Sequence, residues 1–280
     1  MSYARQLEGE VGRFRFCGKI FTGIVEDNRV FSIGDLPIEE IIANNITSKV
    51  NNLIKEVFDL KSLEYVSLLK PGKIICLGLN YKSHADEGGW NVPSEPIYFE
   101  KSSSCIIPNL ATVIIPEGIG RVDPEVELAV IIGKTCKNID ITTAENCIAG
   151  YTILNDVTAR DMQKADQGKK YPWFRSKSMD TFCPVGPWLV TKDEIDWKDN
   201  LKIQLRINGQ LKQNSSTKNM IFQIPEIMVS IARYITLYPG DIISTGTPEG
   251  ISPIKDGDVV ECEIEKIGIL KNFVRKWEKY

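Results

Sequence analysis

The chain has 280 residues, of which 42% are hydrophobic and 25% charged, a composition typical of a soluble globular protein. Its formal net charge of -3 offers no basic surface of the kind that binds nucleic acid or an anionic membrane. No apolar run approaches the ~20 residues that span a bilayer, and the N-terminus lacks the apolar core of a signal peptide. We therefore expect a soluble, cytoplasmic protein without a nucleic-acid or membrane partner.

The cysteines also indicate the cellular compartment. There are seven of them, an odd number, and they are scattered along the chain without a Cys-x-x-Cys pair. This arrangement is typical of reduced core residues in a cytosolic protein, and argues against disulfides or a zinc site.

A small N-terminal α+β domain is predicted for residues 1–68. Short β-like pieces occupy residues 11–34, and residues 37–58 lean towards helix. A Lys70-Pro71-Gly72 turn then precedes an apolar strand at 73–79. We place the boundary near residue 68, with residues 69–280 as a second domain. The N-terminal domain is expected to act as a packing or dimerisation cap, because nothing in it looks catalytic.

The stretch 78–96 starts at a strand end and contains glycines and prolines, a composition typical of a mobile loop. His84, the single histidine of the chain, lies here three residues before Glu87. In a helix these two side chains would share a face, and a carboxylate bonded to one ring nitrogen makes the other more basic. A structural histidine is the alternative. A further strand is predicted at 97–101.

Residues 123–134 form the most informative stretch of the sequence. A proline precedes and a glycine ends a run of Val, Leu and Ile that predicts a buried β-strand, on which Glu125 and Glu127 point the same way. Two carboxylates ~4 Å apart repel by roughly 4 kcal/mol at an effective dielectric near 20, which favours a cation between them. The alternative is a strand with its glutamates facing solvent.

A second strand-like segment follows at 151–161. Residues 142–150 have the spacing of a helix capping box and end in a glycine, a fitting helix stop, so the order is strand, short helix, strand. That order brings Asp156 back beside Glu125 and Glu127. Three carboxylates form an all-oxygen set, which suits Mg²⁺ or Mn²⁺, admits Ca²⁺, and suits Zn²⁺ or Cu²⁺ poorly.

The C-terminal part contains elements without evident chemistry. Residues 201–207 alternate and meet Asn208-Gly209, which predicts a hairpin. Pro225 opens a helix that the Tyr-Pro-Gly turn at 238–240 stops, and a final strand at 259–264 closes the domain.

Three motifs together resemble the fumarylacetoacetate hydrolase superfamily. They are the Glu125-x-Glu127 strand, Asn-Asp-Val-Thr-Ala-Arg-Asp at 155–161, and Ser-Thr-Gly-Thr-Pro at 244–248. The resemblance implies an α+β, mainly β fold, in which a mixed β-roll catalytic domain follows the small N-terminal domain. It also implies a homodimer and one divalent metal ion bound through Glu125, Glu127 and Asp156.

The same resemblance assigns roles to further residues. A His-x-x-Glu pair recurs on a lid in the family, which would make His84 and Glu87 catalytic, and Lys177 aligns with an active-site lysine that neutralises enolate charge or holds the substrate carboxylate. The residues expected to bind substrate are Arg160, Gln163, Gly246, Thr247 and Lys101. The glycine-rich turn could hold a carboxylate between its amides and the Thr247 hydroxyl. Surface lysines and a plain turn are the alternatives.

The implied function is cleavage of a C–C bond in a small 2-oxo or 2,4-dioxo acid. The acid would chelate Mg²⁺ or Mn²⁺, and the metal would stabilise the enolate left when the bond breaks. Acylpyruvate- or fumarylpyruvate-type hydrolysis would use water activated by His84, whereas oxaloacetate-type decarboxylation would need no water. Two alternatives remain open. One is a hydratase or isomerase of the 2-hydroxyhepta-2,4-diene-1,7-dioate isomerase type, and the other is a non-catalytic metal-binding scaffold.

Overall fold

The computed structural model describes residues 9–43 and 53–277 of the chain. Within these ranges the protein has nineteen strands, arranged in three sheets, and five α-helices, so the predicted mainly β, α+β class is confirmed. No helix in the described ranges is long and apolar enough to cross a membrane.

The first part of the chain consists of short antiparallel strands. Its elements are β1 (Glu10–Phe16), β2 (Lys19–Glu26), β3 (Arg29–Gly34), α1 (Ile38–Ala43), β4 (Glu56–Asp59) and β5 (Glu64–Tyr65). The helix predicted across 37–58 is wrong at its C-terminal end, because β4 pairs with β3 as an edge strand. Residues 44–52 of that helix lie outside the described residues.

The central part of the chain supplies six of the twelve strands of the large sheet. Its elements are β6 (Ile74–Gly78), α2 (Lys82–Gly88), β7 (Ile97–Lys101), β8 (Ile106–Ile107), β9 (Thr112–Ile115), β10 (Val122–Asp123), β11 (Val126–Ile132), β12 (Ile148–Asn155), β13 (Thr158–Ala159), α3 (Arg160–Gly168), α4 (Phe174–Lys177) and β14 (Cys183–Thr191). The predicted loop at 78–96 therefore contains a helix. This helix, α2, is capped at its C-terminus by Gly89, whose φ of 67° is a left-handed conformation that suits glycine.

The predicted helix stop at Gly150 is wrong. Only one 3-10 turn forms at Ala144–Cys147, and β12 already begins at Ile148. A Cβ atom at Gly150 would lie 2.1 Å from the Val190 carbonyl oxygen of β14. The glycine is needed because a neighbouring strand approaches closely, not because a helix ends there.

The last part of the chain builds the second sheet. Its elements are β15 (Lys202–Ile207), β16 (Gln210–Ser216), α5 (Ile224–Tyr234), β17 (Ile242–Ser244), β18 (Val259–Ile264) and β19 (Gly268–Lys276). The predicted hairpin is confirmed, with positive φ values of 52° at Asn208 and 76° at Gly209. The prediction that β18 closes the domain is wrong, since β19 follows it and pairs with β9 in parallel.

The large sheet joins the N-terminal strands to the rest of the molecule. Its order is β4-β3-β2-β1-β14-β12-β11-β17-β6-β7, and the five-stranded sheet has the order β16-β15-β18-β19-β9. The junction is the pairing of β1 with β14, where Glu10 lies opposite Val190. The boundary near residue 68 stays a prediction from sequence.

Strand β11 lies at the centre of the large sheet and is buried along its whole length. Leu128 and Val130 on one face pack in the largest hydrophobic cluster, and Ala129 and Ile131 on the other face pack in a second cluster. Glu127 is 1% exposed, so the solvent-facing alternative is excluded. Six of the seven cysteines are also buried, as expected of core residues, and Cys17 is exposed.

Candidate active site

Three acidic side chains meet where β11 begins and β12 ends. Antiparallel pairing places Val126 opposite Asn155, and the Asp156 amide donates to the Glu125 carbonyl at 2.8 Å. One carboxylate oxygen from each of Glu125, Glu127 and Asp156 lies within 4.8 Å of the others, and all three residues are buried. The structure thus brings together the three predicted metal ligands.

Lys101 and Lys177 are buried among these carboxylates rather than placed on the surface. Lys177 Nζ donates to Glu125 Oε2 at 2.8 Å and to Asp156 Oδ2 at 2.5 Å. Lys101 Nζ donates to Asp156 Oδ1 at 2.7 Å and also to the Lys177 carbonyl. Burial acts to lower the pKa of each lysine, but Asp156 and the other anionic neighbours together outweigh burial and raise the pKa of both. Both lysines therefore remain charged.

Arg160, the first residue of α3, ties the carboxylates to the neighbouring polar groups. Its guanidinium donates to Asp123 Oδ2 at 2.8 Å, to Gln163 Oε1 at 2.6 Å and to a carboxylate oxygen of Glu125. Gln163 lies one helical turn after Arg160, so the helix presents both side chains on one face. These contacts place Arg160 and Gln163 beside the triad, as the resemblance implies.

The pKa values of the acidic side chains move in opposite directions. Burial acts to raise the pKa of Glu125, but Lys177 and Arg160 outweigh it and hold that pKa well below its usual range. Burial, reinforced by the charge of Asp156, raises the pKa of Glu127 to about 8. A cation bound beside Glu127 would favour its ionised form, because the metal competes with the proton.

Helix α2, the predicted lid, carries His84. The ring Nδ1 lies 3.4 Å from Glu87 Oε2, so the predicted pair does share one helical face. Glu87 also accepts a hydrogen bond from the Gly250 amide at 3.1 Å, and the Ser83 hydroxyl donates to Glu249. These contacts hold the lid helix against the turn that follows β17.

A pocket of about 210 Å³ lies between the lid and the carboxylates. Its wall includes His84, Glu125, Glu127, Arg160, Gln163 and Lys177. Trp90, Phe99 and Trp173 supply apolar surface to the same wall. The volume is below the roughly 300 to 1,000 Å³ of sites for drug-sized ligands, so the pocket suits a small acid. Lys101 and Gly246 lie outside this wall.

The turn after β17 folds over the start of β11. The Gly246 amide donates to Glu127 Oε2 and the Thr247 hydroxyl donates to the Val126 carbonyl, both at 2.9 Å. At Gly246, where φ is 90°, a Cβ atom would lie 2.9 Å from the Asn80 side chain, so only glycine fits. Both donors expected to hold a substrate carboxylate are engaged with β11. Their role in substrate binding stays a prediction.

Comparison with known proteins decides the family. A family model described as Fumarylacetoacetate (FAA) hydrolase C-terminal matches residues 73–275. The chain belongs to the fumarylacetoacetate hydrolase family. A relative in Bos taurus, the mitochondrial oxaloacetate tautomerase FAHD2B, is 46% identical over 212 residues, which make up 73% of this chain and 67% of that protein.

Two solved structures of family members extend the similarity to nearly the whole chain. The fumarylacetoacetate hydrolase of Exiguobacterium antarcticum matches with a TM-score of 0.85 and 32% identity, covering 96% of this chain and 99% of that one. The 2-hydroxyhepta-2,4-diene-1,7-dioate isomerase of Mycobacterium marinum matches with a TM-score of 0.81 and 33% identity, covering 97% and 100%. The predicted fold is confirmed, and these hydrolase, isomerase and tautomerase relatives support an enzyme.

The donor set of this family member fits a hard divalent cation. The triad offers only carboxylate oxygens, the ligands of Mg²⁺, Mn²⁺ and Ca²⁺. When a bound cation keeps Glu127 ionised, the three negative charges of the triad are matched by Lys101, Lys177 and Arg160, while Asp123 is paired with Arg121 as well. Adding a divalent cation to this neutral set would leave a net charge of about +2.

Sequence reasoning missed several polar residues that support the site. Asn155 Oδ1 accepts from the Glu125 amide at 2.9 Å, and the Ser244 hydroxyl donates to Glu127 Oε2 at 2.5 Å. Both residues belong to the family motifs, so the motifs could have indicated their supporting role. Gln213 accepts a hydrogen bond from the Val126 amide of β11, and the alternating pattern of its hairpin did not indicate this contact.

Proposed function

We propose that the chain is a divalent-metal-dependent enzyme that converts the enol form of oxaloacetate to the keto form. The observation that carries this proposal is that the single histidine lines a pocket of about 210 Å³ together with Glu125 and Glu127, two of the three clustered carboxylates. Oxaloacetate is a small dicarboxylate, and its two negative charges complement the charge of about +2 that the site would have with a divalent cation. The 46% identity to an oxaloacetate tautomerase supports the same substrate.

The reaction removes the proton from the C2 hydroxyl and adds a proton to C3, while the double bond moves from C2=C3 to C2=O. An imidazole is the side chain best suited to carry such protons near neutral pH, and Glu87 beside Nδ1 leaves Nε2 of His84 for the substrate. Lys177 and Arg160 supply positive charge in the pocket wall for the substrate carboxylates. Held by Glu125, Glu127 and Asp156, a divalent cation would polarise the 2-oxo group.

Cleavage of a C–C bond is the second candidate. The contact of His84 with Glu87 favours it, because the same pair could activate water for attack on an acylpyruvate. The structural similarity to a fumarylacetoacetate hydrolase supports this reaction too. The similarity to a 2-hydroxyhepta-2,4-diene-1,7-dioate isomerase supports proton transfer on a longer unsaturated acid as the alternative.

The test follows three reactions with Mg²⁺, with Mn²⁺ and with EDTA. Decay of the ultraviolet absorbance of the oxaloacetate enol reports tautomerisation, loss of acylpyruvate absorbance reports hydrolysis, and pyruvate formed from oxaloacetate reports decarboxylation. We expect tautomerisation to exceed the buffer rate by on the order of 10² or more with metal, and to be lost in EDTA. An enol that decays at the buffer rate under every condition would contradict the proposal.

Alanine at Glu127 separates an enzyme from a metal-binding scaffold. A protein that needs the ion to fold would unfold, whereas an enzyme would stay folded and lose metal affinity and turnover. Circular dichroism and calorimetric titration with Mg²⁺ measure the two outcomes, and alanine at Glu125 or Asp156 should behave in the same way. Unchanged affinity in all three variants would contradict the metal site.

Three further parts of the proposal come from the sequence. The family resemblance implies a homodimer, the cysteine pattern favours a cytoplasmic location, and the local pattern predicts a small N-terminal domain that ends near residue 68. Size-exclusion chromatography with light scattering would check the dimer.

A further inference from the structure

On its β17 side, strand β11 loses its neighbouring strand just where the candidate metal ligands begin, while β12 still pairs with it on the other side. The Thr245 amide, directly after β17, donates to the Leu128 carbonyl at 3.0 Å, and the regular bonds between the two strands stop there. Since strand residues alternate sides, the next β11 residue with its amide and carbonyl on that side is Val126. Val126 lies between Glu125 and Glu127, so any freedom of its backbone would change the spacing of the two carboxylates.

A glutamine from the second sheet replaces the missing strand. Gln213 of β16 is 0% exposed, and its Oε1 accepts the Val126 amide at 3.0 Å. Its Nε2 donates to Thr247 Oγ1 at 2.9 Å and to the Pro248 carbonyl at 2.7 Å. The Thr247 hydroxyl in turn donates to the Val126 carbonyl. Gln213, Thr247 and Val126 therefore form a closed ring of hydrogen bonds.

The turn that follows β17 packs closely against β16, the strand that carries Gln213. Lys212 directly precedes Gln213. A Cβ atom at Gly250 would lie 2.0 Å from the carbonyl oxygen of Lys212, so only glycine fits there. The φ of 98° at Gly250 also favours glycine. Because the amide of Gln213 is planar and all its bonds here are made inside the protein, it can hold two segments in one fixed relation.

We propose that Gln213 is a positioning residue that holds β11 at Val126 and so sets the separation of Glu125 and Glu127 for metal binding. Its hydrogen bonds go to Val126, Thr247 and Pro248 rather than to either carboxylate, and it is not part of the pocket wall. This inference rests on the proposed function to the extent that the triad binds a divalent cation. Outer partners of metal sites typically change metal affinity by about 10- to 100-fold when they are removed.

The test is calorimetric titration of Mn²⁺ into the full-length protein and its Gln213→Met variant. Methionine keeps the length and volume of glutamine but cannot make these hydrogen bonds. The matched control is Gln204→Met, because Gln204 is buried on the adjacent strand and bonds Asn214 at 2.8 Å. We expect Mn²⁺ affinity to fall about 10-fold in Gln213→Met, and to stay within about twofold of wild type in Gln204→Met.

A double-mutant cycle shows whether Gln213 acts through the ring. Thr247→Val breaks the same ring from its other side, so the double variant should bind Mn²⁺ only about as weakly as the weaker-binding single variant. If Gln213→Met fails to fold, Thr247→Val alone takes the same test. Wild-type affinity in a folded Gln213→Met, additive losses, or an equal loss in Gln204→Met would overturn the inference.

The outcomes also separate this inference from the proposed function. A protein that shows these shifts in Mn²⁺ affinity but does not accelerate enol decay contradicts the proposed reaction and supports the role of Gln213. A wild-type protein that binds no divalent cation contradicts both.

Discussion

At the scale of single residues, the candidate site is a cluster of buried charges. Lys101, Lys177 and Arg160 each pair with buried carboxylates. Buried ion pairs of this kind are often no more stabilising than well-packed apolar side chains of the same volume. Their presence around a pocket lined by His84 is therefore better explained by ligand binding than by stability. Lys177 is the lysine of the two that reaches the pocket wall.

Lys177→Met is expected to lower kcat by on the order of 10² or more, because a donor to developing negative charge is lost. Steady-state rates of enol decay measure this effect. Lys198→Met is the control, since Lys198 is an exposed lysine whose partner is Glu145. Wild-type turnover in folded Lys177→Met would remove Lys177 from the catalytic group.

At the scale of elements, the lid depends on the rest of the protein for its structure. Helix α2 has 7 residues, too few for a stable isolated helix. Its position depends on the contacts of Glu87 with Gly250 and of Ser83 with Glu249. Glu87 thus both holds the lid and orients His84, so the two roles have to be separated by experiment.

His84→Ala is expected to slow tautomerisation, and any acylpyruvate hydrolysis, by about 10²- to 10⁴-fold, the usual contribution of a general base. Oxaloacetate decarboxylation needs the metal but no base, so it should survive. Glu87→Gln should give intermediate rates, since it keeps an acceptor for the Gly250 amide but loses the charge beside the imidazole. The three proteins are compared at one pH and saturating Mg²⁺. Equal loss in every reaction would mean that His84 only orders the lid.

At the scale of the whole molecule, the N-terminal strands and the catalytic strands share one sheet through β1 and β14. A titratable group lies at this junction. Burial, with the charges of Asp27 and Glu194, raises the pKa of Glu10 to about 7 from an ordinary value of 4.5. The folded state therefore favours the protonated form of Glu10. As pH rises from 4.5 through about 7, the unfolded chain releases this proton more readily than the folded protein does, so the protein loses stability.

Glu10→Gln is expected to stabilise the protein at about pH 8 but not at about pH 4.5, because only the ionised carboxylate is unfavourable in the folded state. Since Glu10 is only partly buried, solvent screening limits the gain to about 1 kcal/mol. Thermal unfolding of both proteins at the two pH values measures the difference. A gain of the same size at both pH values would contradict the assignment to this carboxyl group.

Local pattern predicted many of the strands and part of the site. The Asn208-Gly209 hairpin and the apolar run of β11 could be predicted because turn chemistry and side-chain alternation involve neighbouring residues only. Side-chain alternation likewise placed Glu125 and Glu127 on one face of their strand. The turn signals between that strand and the next indicated that Asp156 returns beside them. The family motifs then supplied Arg160 and Lys177, which no periodicity would have selected.

Tertiary structure alone decided the features that depend on contacts between distant parts of the chain. Gly150 is required by the backbone of β14, and Lys101 is buried because Asp156 and the Lys177 carbonyl surround it. Gln213 reaches Val126, 87 positions earlier in the chain, from a hairpin of a different sheet. Sequence periodicity reports which face of an element a side chain occupies, but not which other element will lie against that face. By itself the sequence therefore determined the residue types of the site, and packing determined which of them support the others.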